Sequence, residues 1–142
     1  MMQPMRGYEF INHTADLGIR VSGPSLEELF ENAAWAMFDL IVDLDTVEVR
    51  DEATIRIRGG EREELLADWL RDLLYRYNGH EYLLKEFRIE KISPRGLKAR
   101  VRGEKLDMSR HSLKREIKAV TYHDLEIRKL NREWQAQIIF DI

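Results

Sequence analysis

The sequence has no cysteine, and this absence excludes several kinds of chemistry at once. Disulfides, thiolate zinc sites and cysteine nucleophiles all require a thiol. The chain also has only three prolines and eight glycines, and it contains no linker or low-complexity tract. At 142 residues it is long enough to bury a core of its own. We therefore predict one domain that spans residues 1–142.

Long apolar runs are missing as well. No stretch approaches the roughly 20 apolar residues that a membrane-spanning helix needs. The first seven residues lack the basic segment and apolar stretch of a secretory signal. These features predict a cytoplasmic protein with no membrane partner. A net charge of −3 argues against a domain whose main task is to grip phosphate backbones, so we expect any RNA contact to be indirect.

The common catalytic motifs are also absent. Gly59-Gly60 is not followed by Lys-Ser or Lys-Thr, which excludes a nucleotide-hydrolysing P-loop. There is no Gly-x-Ser-x-Gly nucleophile elbow and no His-x-x-x-His pair on a helix. Since no acid, base and nucleophile are assembled in one motif, the sequence favours an accessory protein over an enzyme.

Two amphipathic helices are predicted from apolar spacing. Ser25 and Glu28 form a capping box before an apolar stripe that runs from Leu26 to Ile41. A second stripe runs from Leu65 to Tyr77, and Asn78-Gly79 supplies residues suited to the left-handed turn that ends helices. Alternating or β-rich runs predict strands at residues 8–11, 18–22, 47–58, 84–92, 97–102, 125–129 and 133–140.

Short connections between several of these strands predict hairpins. The turns at 93–96 and 130–132 join neighbouring strands, and a further hairpin is predicted within 47–58 before Gly59-Gly60. Two helices are too few to cover both faces of a parallel sheet. We therefore predict an α+β fold in which the helices pack on a largely antiparallel sheet, with two pseudo-duplicated strand-helix-strand-strand units as one version of it.

The most informative candidate site pairs the two extremes of the chain. Asp141 and the terminal residue Ile142 follow a strand-like run and offer a side-chain and a main-chain carboxylate. Asp16 lies in a polar loop between two extended runs. Such oxygen donors suit hard cations, so Ca²⁺ or Mg²⁺, with Mn²⁺ as a further alternative, are the predicted cofactors. Alternatively, Asp16 is an ordinary turn residue and Asp141 simply ends a frayed strand.

Two other polar groups compete with this site. His13, His111 and His123 offer nitrogen ligands for a transition metal, but their spacing matches no compact motif, and His80 resembles a solvated turn residue. A basic segment could receive a phosphate or an acidic partner, although Glu116 interrupts it and we favour the interpretation of a mixed-charge surface. Its basic residues are Arg110, Lys114, Arg115 and Lys118.

Several separated motifs together resemble the archease family. They are His13-Thr-Ala-Asp-Leu-Gly-Ile-Arg-Val-Ser-Gly, Ser25-Leu-Glu-Glu-Leu-Phe-Glu-Asn-Ala-Ala-Trp-Ala-Met, Leu66-Ala-Asp-Trp-Leu-Arg-Asp-Leu-Leu-Tyr, Arg110-His with Glu116-Ile-Lys-Ala-Val-Thr-Tyr-His, and Ile139-Phe-Asp-Ile. They occur in the family's order and span nearly the whole chain. Five motifs at family spacing are far more specific than any one of them.

The resemblance implies a role in tRNA splicing. Archeases assist the RtcB-type tRNA ligase by promoting its GTP-dependent guanylylation and its multiple turnover. The family's metal site corresponds to Asp16, Asp141 and Ile142 of this sequence, and His13, Lys118 and His123 are assigned to a supporting shell or to partner contacts. The implied partner is the ligase, and RNA is contacted only through it.

Two other functional classes are weighed against this one. Older descriptions of the family imply a chaperone or modulator of tRNA methyltransferases and other nucleic-acid-processing enzymes, and that activity would tolerate loss of the acidic residues. The other alternative, which we disfavour, is a metal-dependent phosphoesterase that uses His13, Asp16, His111 and His123.

Overall fold

Two antiparallel sheets enclose two long helices in the computed structural model of the chain, which describes residues 7–11 and 16–142. The elements in chain order are β1 (Tyr8–Ile11), β2 (Leu17–Gly23), α1 (Leu26–Ile41), a short 3₁₀ turn (Leu44–Thr46), β3 (Asp51–Arg58), α2 (Arg62–His80), β4 (Tyr82–Ser93), β5 (Gly96–Lys105), β6 (Ala119–Leu130) and β7 (Glu133–Asp141). The first sheet has the order β1-β2-β7-β6 and the second has the order β3-β5-β4. The predicted α+β class is confirmed.

Helix α1 lies between the two sheets. Its predicted cap is confirmed, because the Ser25 hydroxyl accepts a hydrogen bond from the Glu28 N–H at 3.1 Å. The helix packs on β2 and β4, and nine of its 16 residues are buried. Ala33, Ala34 and Ala36 keep it narrow enough to touch a sheet on either side. The polar residues Glu28, Glu31 and Asn32 share the opposite face, so α1 is amphipathic as predicted.

The two helices are joined by a buried tryptophan. The indole N–H of Trp69 in α2 donates to the Phe30 carbonyl oxygen in α1 at 3.0 Å. A buried indole needs such an acceptor, since leaving the N–H unpaired costs free energy. The remaining contacts of α2 are to β6, β4 and β3. No helix among the described ranges combines the length and the apolar character needed to cross a membrane.

Helix α2 ends two residues later than predicted. It continues to His80, and the left-handed position is occupied by Glu81 with φ of 61° instead of by Asn78-Gly79. The Glu81 N–H bonds to the carbonyl oxygens of Arg76 and Tyr77. The Asn78 side chain donates at 3.0 Å to the Ile117 carbonyl oxygen, which ties the helix to the segment before β6. This long-range bond favours the helical conformation at Asn78.

The prediction for residues 47–58 is wrong in two respects. The strand begins at Asp51 and pairs with β5, so no hairpin forms within the segment. The reason lies before the strand: Val47 is buried, and the Glu48 N–H donates to the Glu104 carboxylate at 2.7 Å instead of to a neighbouring strand. The predicted β4–β5 and β6–β7 hairpins are confirmed.

Strand β6 begins at Ala119, six residues before its predicted start. Its pairing with β7 is interrupted between Thr121 and Glu126, and Asp124 within this bulge has φ of 56°. A bulge shifts the side-chain alternation on which strand prediction depends. The early part of β6 matters because it runs beside the end of β7.

Candidate functional site at the end of the first sheet

The start of β2 and the end of β7 lie side by side. Leu17 pairs with Phe140, and Gly18 pairs with Ile139. Asp16 directly precedes Leu17, and Asp141 directly follows Phe140, so the antiparallel register places the two aspartates at the same end of the sheet. Phe140 is buried, and Asp141 is exposed on the opposite face of the strand.

Strand β6 adds a third segment to this sheet end. Ala119 pairs with Asp141, and the Lys118 N–H donates to the Asp141 carbonyl oxygen at 2.7 Å. Ile117 is fully buried and anchors the start of β6 in the core. Asp141 is therefore held within a hydrogen-bonded strand, which contradicts the alternative of a frayed strand end. Ile142, 47% exposed, follows directly.

The residues assigned to the supporting shell lie at different positions relative to Asp141. Lys118 adjoins Asp141 through its main chain and has an exposed side chain. His123 lies four residues further along β6, on the order of 10 Å from Ala119, in the bulge. Its ring is 71% exposed, and Nε2 is 3.2 Å from the Asp124 carboxylate. His123 thus lies in the bulge of β6, and Ala119 is the β6 residue that pairs with Asp141. His13 lies outside the described residues.

The donors at this sheet end fit an oxygen-ligated cation. They are the carboxylates of Asp16 and Asp141 and the main-chain carbonyl oxygen of Ile142. Within residues 7–11 and 16–142, no group of three or more His, Cys, Asp or Glu side chains is arranged to hold a metal. An ion bound there would therefore complete its coordination with main-chain oxygens and water, as Ca²⁺ and Mg²⁺ commonly do.

A second carboxylate cluster, centred on Glu104 at the end of β5, was not predicted. The Glu104 side chain is only 3% exposed. One of its oxygens lies 2.7 Å from the Arg110 guanidinium and 3.4 Å from that of Arg50. The other accepts from the Glu48 N–H at 2.7 Å and lies 2.8 Å from His111 Nε2. We call these five residues the Glu104 cluster.

The cluster holds the Glu104 carboxyl group ionised. The Arg110 hydrogen bond is the largest cause that lowers its pKa to about 2, and the bonds from Glu48 and His111 lower it further. Burial opposes this effect. Because hydrogen bonds from Arg110, Glu48 and His111 and an ion pair with Arg50 converge on one carboxylate, the cluster fastens the loop after β5 to the segment before β3. It is a structural crosslink with no position left for a ligand.

His111 is excluded as a metal ligand by its hydrogen bonds. Its Nδ1 accepts from the Asp107 N–H at 2.8 Å, so the ring proton is on Nε2 and is donated to Glu104. Both ring nitrogens are used, and the side chain is fully buried. The sequence does contain a local signal: Asp107 accepts from the Ser109 N–H, which is the pattern of an Asx turn. The contribution of Glu104 has no such local signal.

The basic segment does not form one anion-binding patch. Lys114 Nζ donates to the Asp39 carbonyl oxygen at 2.8 Å, and Arg115 donates to the Leu40 carbonyl oxygen at 3.3 Å. These carbonyls belong to the last turn of α1, which has no basic residue of its own. The two side chains therefore satisfy the negative end of the helix dipole from a distant part of the sequence. Arg110 is bound to Glu104 instead.

Comparison with known proteins identifies the same family over the whole fold. A model of the archease protein family matches residues 8–142. The archease of Pyrococcus abyssi is 43% identical over 143 aligned positions, which cover 97% of this chain and 100% of that protein. The archease of Methanosarcina barkeri is 40% identical, and the alignment covers 95% of each chain.

Two solved structures have the same architecture. The solution structure of protein 1598 of Methanobacterium thermoautotrophicum is 37% identical and superposes with a TM-score of 0.84, covering 97% of this chain and 100% of that one. The crystal structure of an archease from Thermotoga maritima, described as a possible chaperone, is 25% identical with a TM-score of 0.63. It covers 100% of this chain and 98% of that one.

Proposed function

The chain belongs to the archease family, and on that premise we propose that it is a non-enzymatic accessory protein that activates an RtcB-type RNA ligase in tRNA splicing. The proposed activity is the promotion of GTP-dependent guanylylation and multiple turnover of the ligase in the cytoplasm. The proposed site consists of Asp16, Asp141 and Ile142 with a bound Ca²⁺, Mg²⁺ or Mn²⁺ ion. In this proposal RNA is substrate of the ligase.

The observation that supports this site is the register of the first sheet. The pairing of Leu17 with Phe140 brings two aspartates, 125 residues apart in sequence, to one sheet end. Asp141 is paired with Ala119 of β6, and the preceding residue, Phe140, is paired with Leu17 of β2. Because both aspartates adjoin paired strands, we expect little ordering free energy to be lost when an ion binds.

In this proposal the exposed residues Asp141 and Ile142 carry the bound ion to the active site of the ligase. Asp141 and Ile142 stand at an exposed end of the molecule, where a partner's active-site cleft can receive them. Their neighbours on the core side, Phe140 and Ile117, are fully buried and keep the end rigid. A divalent ion held by these oxygens would offset charge on a nucleoside triphosphate during nucleotidyl transfer.

The test is a guanylylation time course of the cognate ligase with limiting divalent ion. The wild-type protein, added below the ligase concentration, is expected to accelerate covalent GMP transfer and to support many turnovers per molecule. Asp16→Asn and Asp141→Asn are expected to reduce the rate to that of the ligase alone. Full stimulation by both variants would overturn the proposed site, and no stimulation by the wild-type protein would overturn the proposed function.

The matched control for these variants is Asp51→Asn. Asp51 is likewise an exposed aspartate at the end of a strand, but it begins β3 in the second sheet. The substitution removes the same charge, so it measures any effect of net charge on the association with the ligase. We expect Asp51→Asn to stimulate the ligase as the wild-type protein does.

A chaperone function is the second candidate, because the Thermotoga maritima relative is described as a possible chaperone. Holding of unfolded or aggregating proteins depends on exposed apolar surface, and this chain exposes Phe10, Tyr75 and Met108. Such an activity should survive Asp141→Asn. An aggregation assay with a tRNA methyltransferase as client separates the two functions, since only the ligase activity depends on the aspartates. A phosphoesterase centred on His111 is disfavoured by the hydrogen bonds of that ring.

A further inference from the structure

The outer face of the second sheet concentrates positive charge in a chain whose net charge is −3. Strands β3, β5 and β4 turn one set of alternate side chains towards the helices and the other set away from them. A β-bulge between Ile89 and Lys91 leaves the consecutive residues Glu90 and Lys91 both exposed, and with them the outward set contains seven basic and three acidic residues. We define the basic face as Arg56, Arg58, Arg88, Lys91, Lys98, Arg100 and Arg102, together with Glu52, Glu86 and Glu90.

Like charges stand directly opposite one another on this face. Arg88 pairs in register with Arg100, and Lys98 has Arg56 on one side and Lys91 on the other. Cross-strand neighbours of the same sign destabilise a sheet, whereas alternating signs stabilise it. A face selected only for folding or solubility would place acidic residues at several of these positions. The arrangement therefore indicates a ligand that supplies the missing negative charge.

Some basic side chains of this face form ion pairs with its glutamates, and others do not. Glu86 lies 3.2 Å from Arg102, and Glu90 lies 3.4 Å from Arg100. These ion pairs connect the central strand β5 to its neighbour β4. Four other cations take part in none of the ion pairs found among residues 7–11 and 16–142, and they flank the central strand on both sides. They are Arg56, Arg58, Arg88 and Lys91.

The face offers nothing for an apolar partner. Where the chain is described, its exposed large hydrophobic residues all lie outside β3, β4 and β5. Protein interfaces depend on buried aromatic or aliphatic residues at their centre, and single-stranded nucleic acids bind largely by stacking bases on aromatic rings. A flat array of guanidinium and ammonium groups instead matches regularly spaced phosphates.

We propose that the basic face binds the phosphate backbone of double-helical nucleic acid without reading its sequence. This inference does not depend on the proposed ligase activity, because the basic face and the Asp16–Asp141 end belong to different sheets. It changes the expectation that RNA is contacted only through the ligase. That expectation followed from the net charge of the whole chain. A negative net charge does not exclude a face on which basic residues outnumber acidic ones.

Binding is tested with a fluorescent 20-base-pair RNA duplex and the full chain at several salt concentrations. We expect the logarithm of the affinity to fall linearly with the logarithm of the salt concentration, at about 0.9 per phosphate contacted. A duplex DNA of the same sequence should bind comparably, since the face contacts phosphates. Failure of the wild-type protein to bind either duplex at low salt would overturn the proposal.

The decisive variant removes three cations that hold no glutamate: Arg56→Gln, Arg88→Gln and Lys91→Gln together. No carboxylate loses a partner, so the fold should persist, and circular dichroism and melting verify this. We expect a loss of affinity of about tenfold or more at low salt and a reduction of the salt slope by about 2 to 3.

The matched control removes the same charge elsewhere: Lys105→Gln, Lys129→Gln and Arg132→Gln, all exposed and outside the basic face. We expect less than a twofold loss. Equal losses in the two triple variants would overturn the proposal, because general electrostatic attraction would then explain the binding. Tighter binding of polyglutamate or of a single-stranded RNA than of the duplex would overturn it too, by identifying a different ligand.

Discussion

Two regions of the molecule use carboxylates in opposite ways. Glu104 is buried, and its two oxygens accept from Arg110, Glu48 and His111, with Arg50 close by. Asp141 is exposed at the end of β7, and the interaction that positions it is made by its carbonyl oxygen, which accepts from Lys118. In the first region both carboxylate oxygens already accept hydrogen bonds from the protein itself. In the second region the main chain holds the residue in place.

This difference decides which carboxylates are available to a ligand. A buried carboxylate is tolerated only when hydrogen bonds and opposite charge replace its lost hydration. A carboxylate placed by the main chain at an exposed strand end contributes little to folding and can interact with a ligand. The predictions below concern stability for the Glu104 cluster and ligand binding for the Asp16–Asp141 end.

The largest expected effect is on stability. Glu104→Ala leaves the Glu48 N–H and the buried His111 Nε2 without their acceptor and removes one of the two acidic partners of Arg110, so we expect a loss of about 3 kcal/mol in the free energy of unfolding. Urea unfolding measures it. Glu86→Ala, which removes an exposed partner of Arg102, is the control and should cost less than about 1 kcal/mol. Equal losses in the two variants would contradict the structural role of the cluster.

The same cluster should make stability depend on pH. The pKa of Glu104 is about 2 in the folded chain and 4.5 as its ordinary value, so the unfolded chain binds the proton first as the pH falls. The cluster thus contributes roughly 3 kcal/mol above pH 4.5, and this is lost progressively down to pH 2. Urea unfolding between pH 7 and pH 2 tests this. Glu104→Gln should show a shallower decline, and identical pH profiles would contradict it.

A bound cation should also stabilise the folded chain. If Ca²⁺ binds the Asp16–Asp141 end, a concentration a hundredfold above its dissociation constant should raise the free energy of unfolding by about 2.7 kcal/mol. Asp141→Asn should lose this increase, while its stability without metal stays within about 0.5 kcal/mol of the wild-type value. Thermal melts with calcium and with chelator measure both quantities. Asp51→Asn should respond to calcium as the wild-type protein does.

The smallest expected effect concerns the basic face. Arg88→Thr relieves the repulsion with Arg100 and should raise stability by about 0.2–1 kcal/mol while weakening duplex binding. Arg58→Thr is the matched control, because Arg58 lies opposite Gly96 and has no like charge across the strand. A gain no larger for Arg88→Thr than for Arg58→Thr, measured by urea unfolding, would contradict the cost assigned to the like-charge pairs.

Features encoded by neighbouring residues were predictable from the sequence. The Ser25 cap, the two helices and the hairpin turn at 93–96 each depend on a local pattern, and the structure confirms them. The pairing of β3 with β5 and the early start of β6 depend on distant partners and on a bulge, which leave no local period. Residues 47–58 therefore looked like a self-contained hairpin.

The two carboxylate regions differ in the same respect. Asp16 precedes one extended run and Asp141 follows another, so their position near strand ends was predictable from the sequence. The register of β2 with β7 brings these two strand ends together. The members of the Glu104 cluster come from three separate segments, and no spacing connects Glu48 with Glu104. The charge of the second sheet was likewise hidden, because net charge averages over faces that only the fold defines.

The most direct test of the proposed metal site is a titration of ¹⁵N-labelled protein with Mn²⁺, observed by the paramagnetic broadening of each amide signal. The account predicts that the amides of Leu17, Lys118 and Ile142 broaden first, and that Asp141→Asn abolishes this broadening. Broadening that begins at the Glu104 cluster, or that is unchanged in Asp141→Asn, would contradict it.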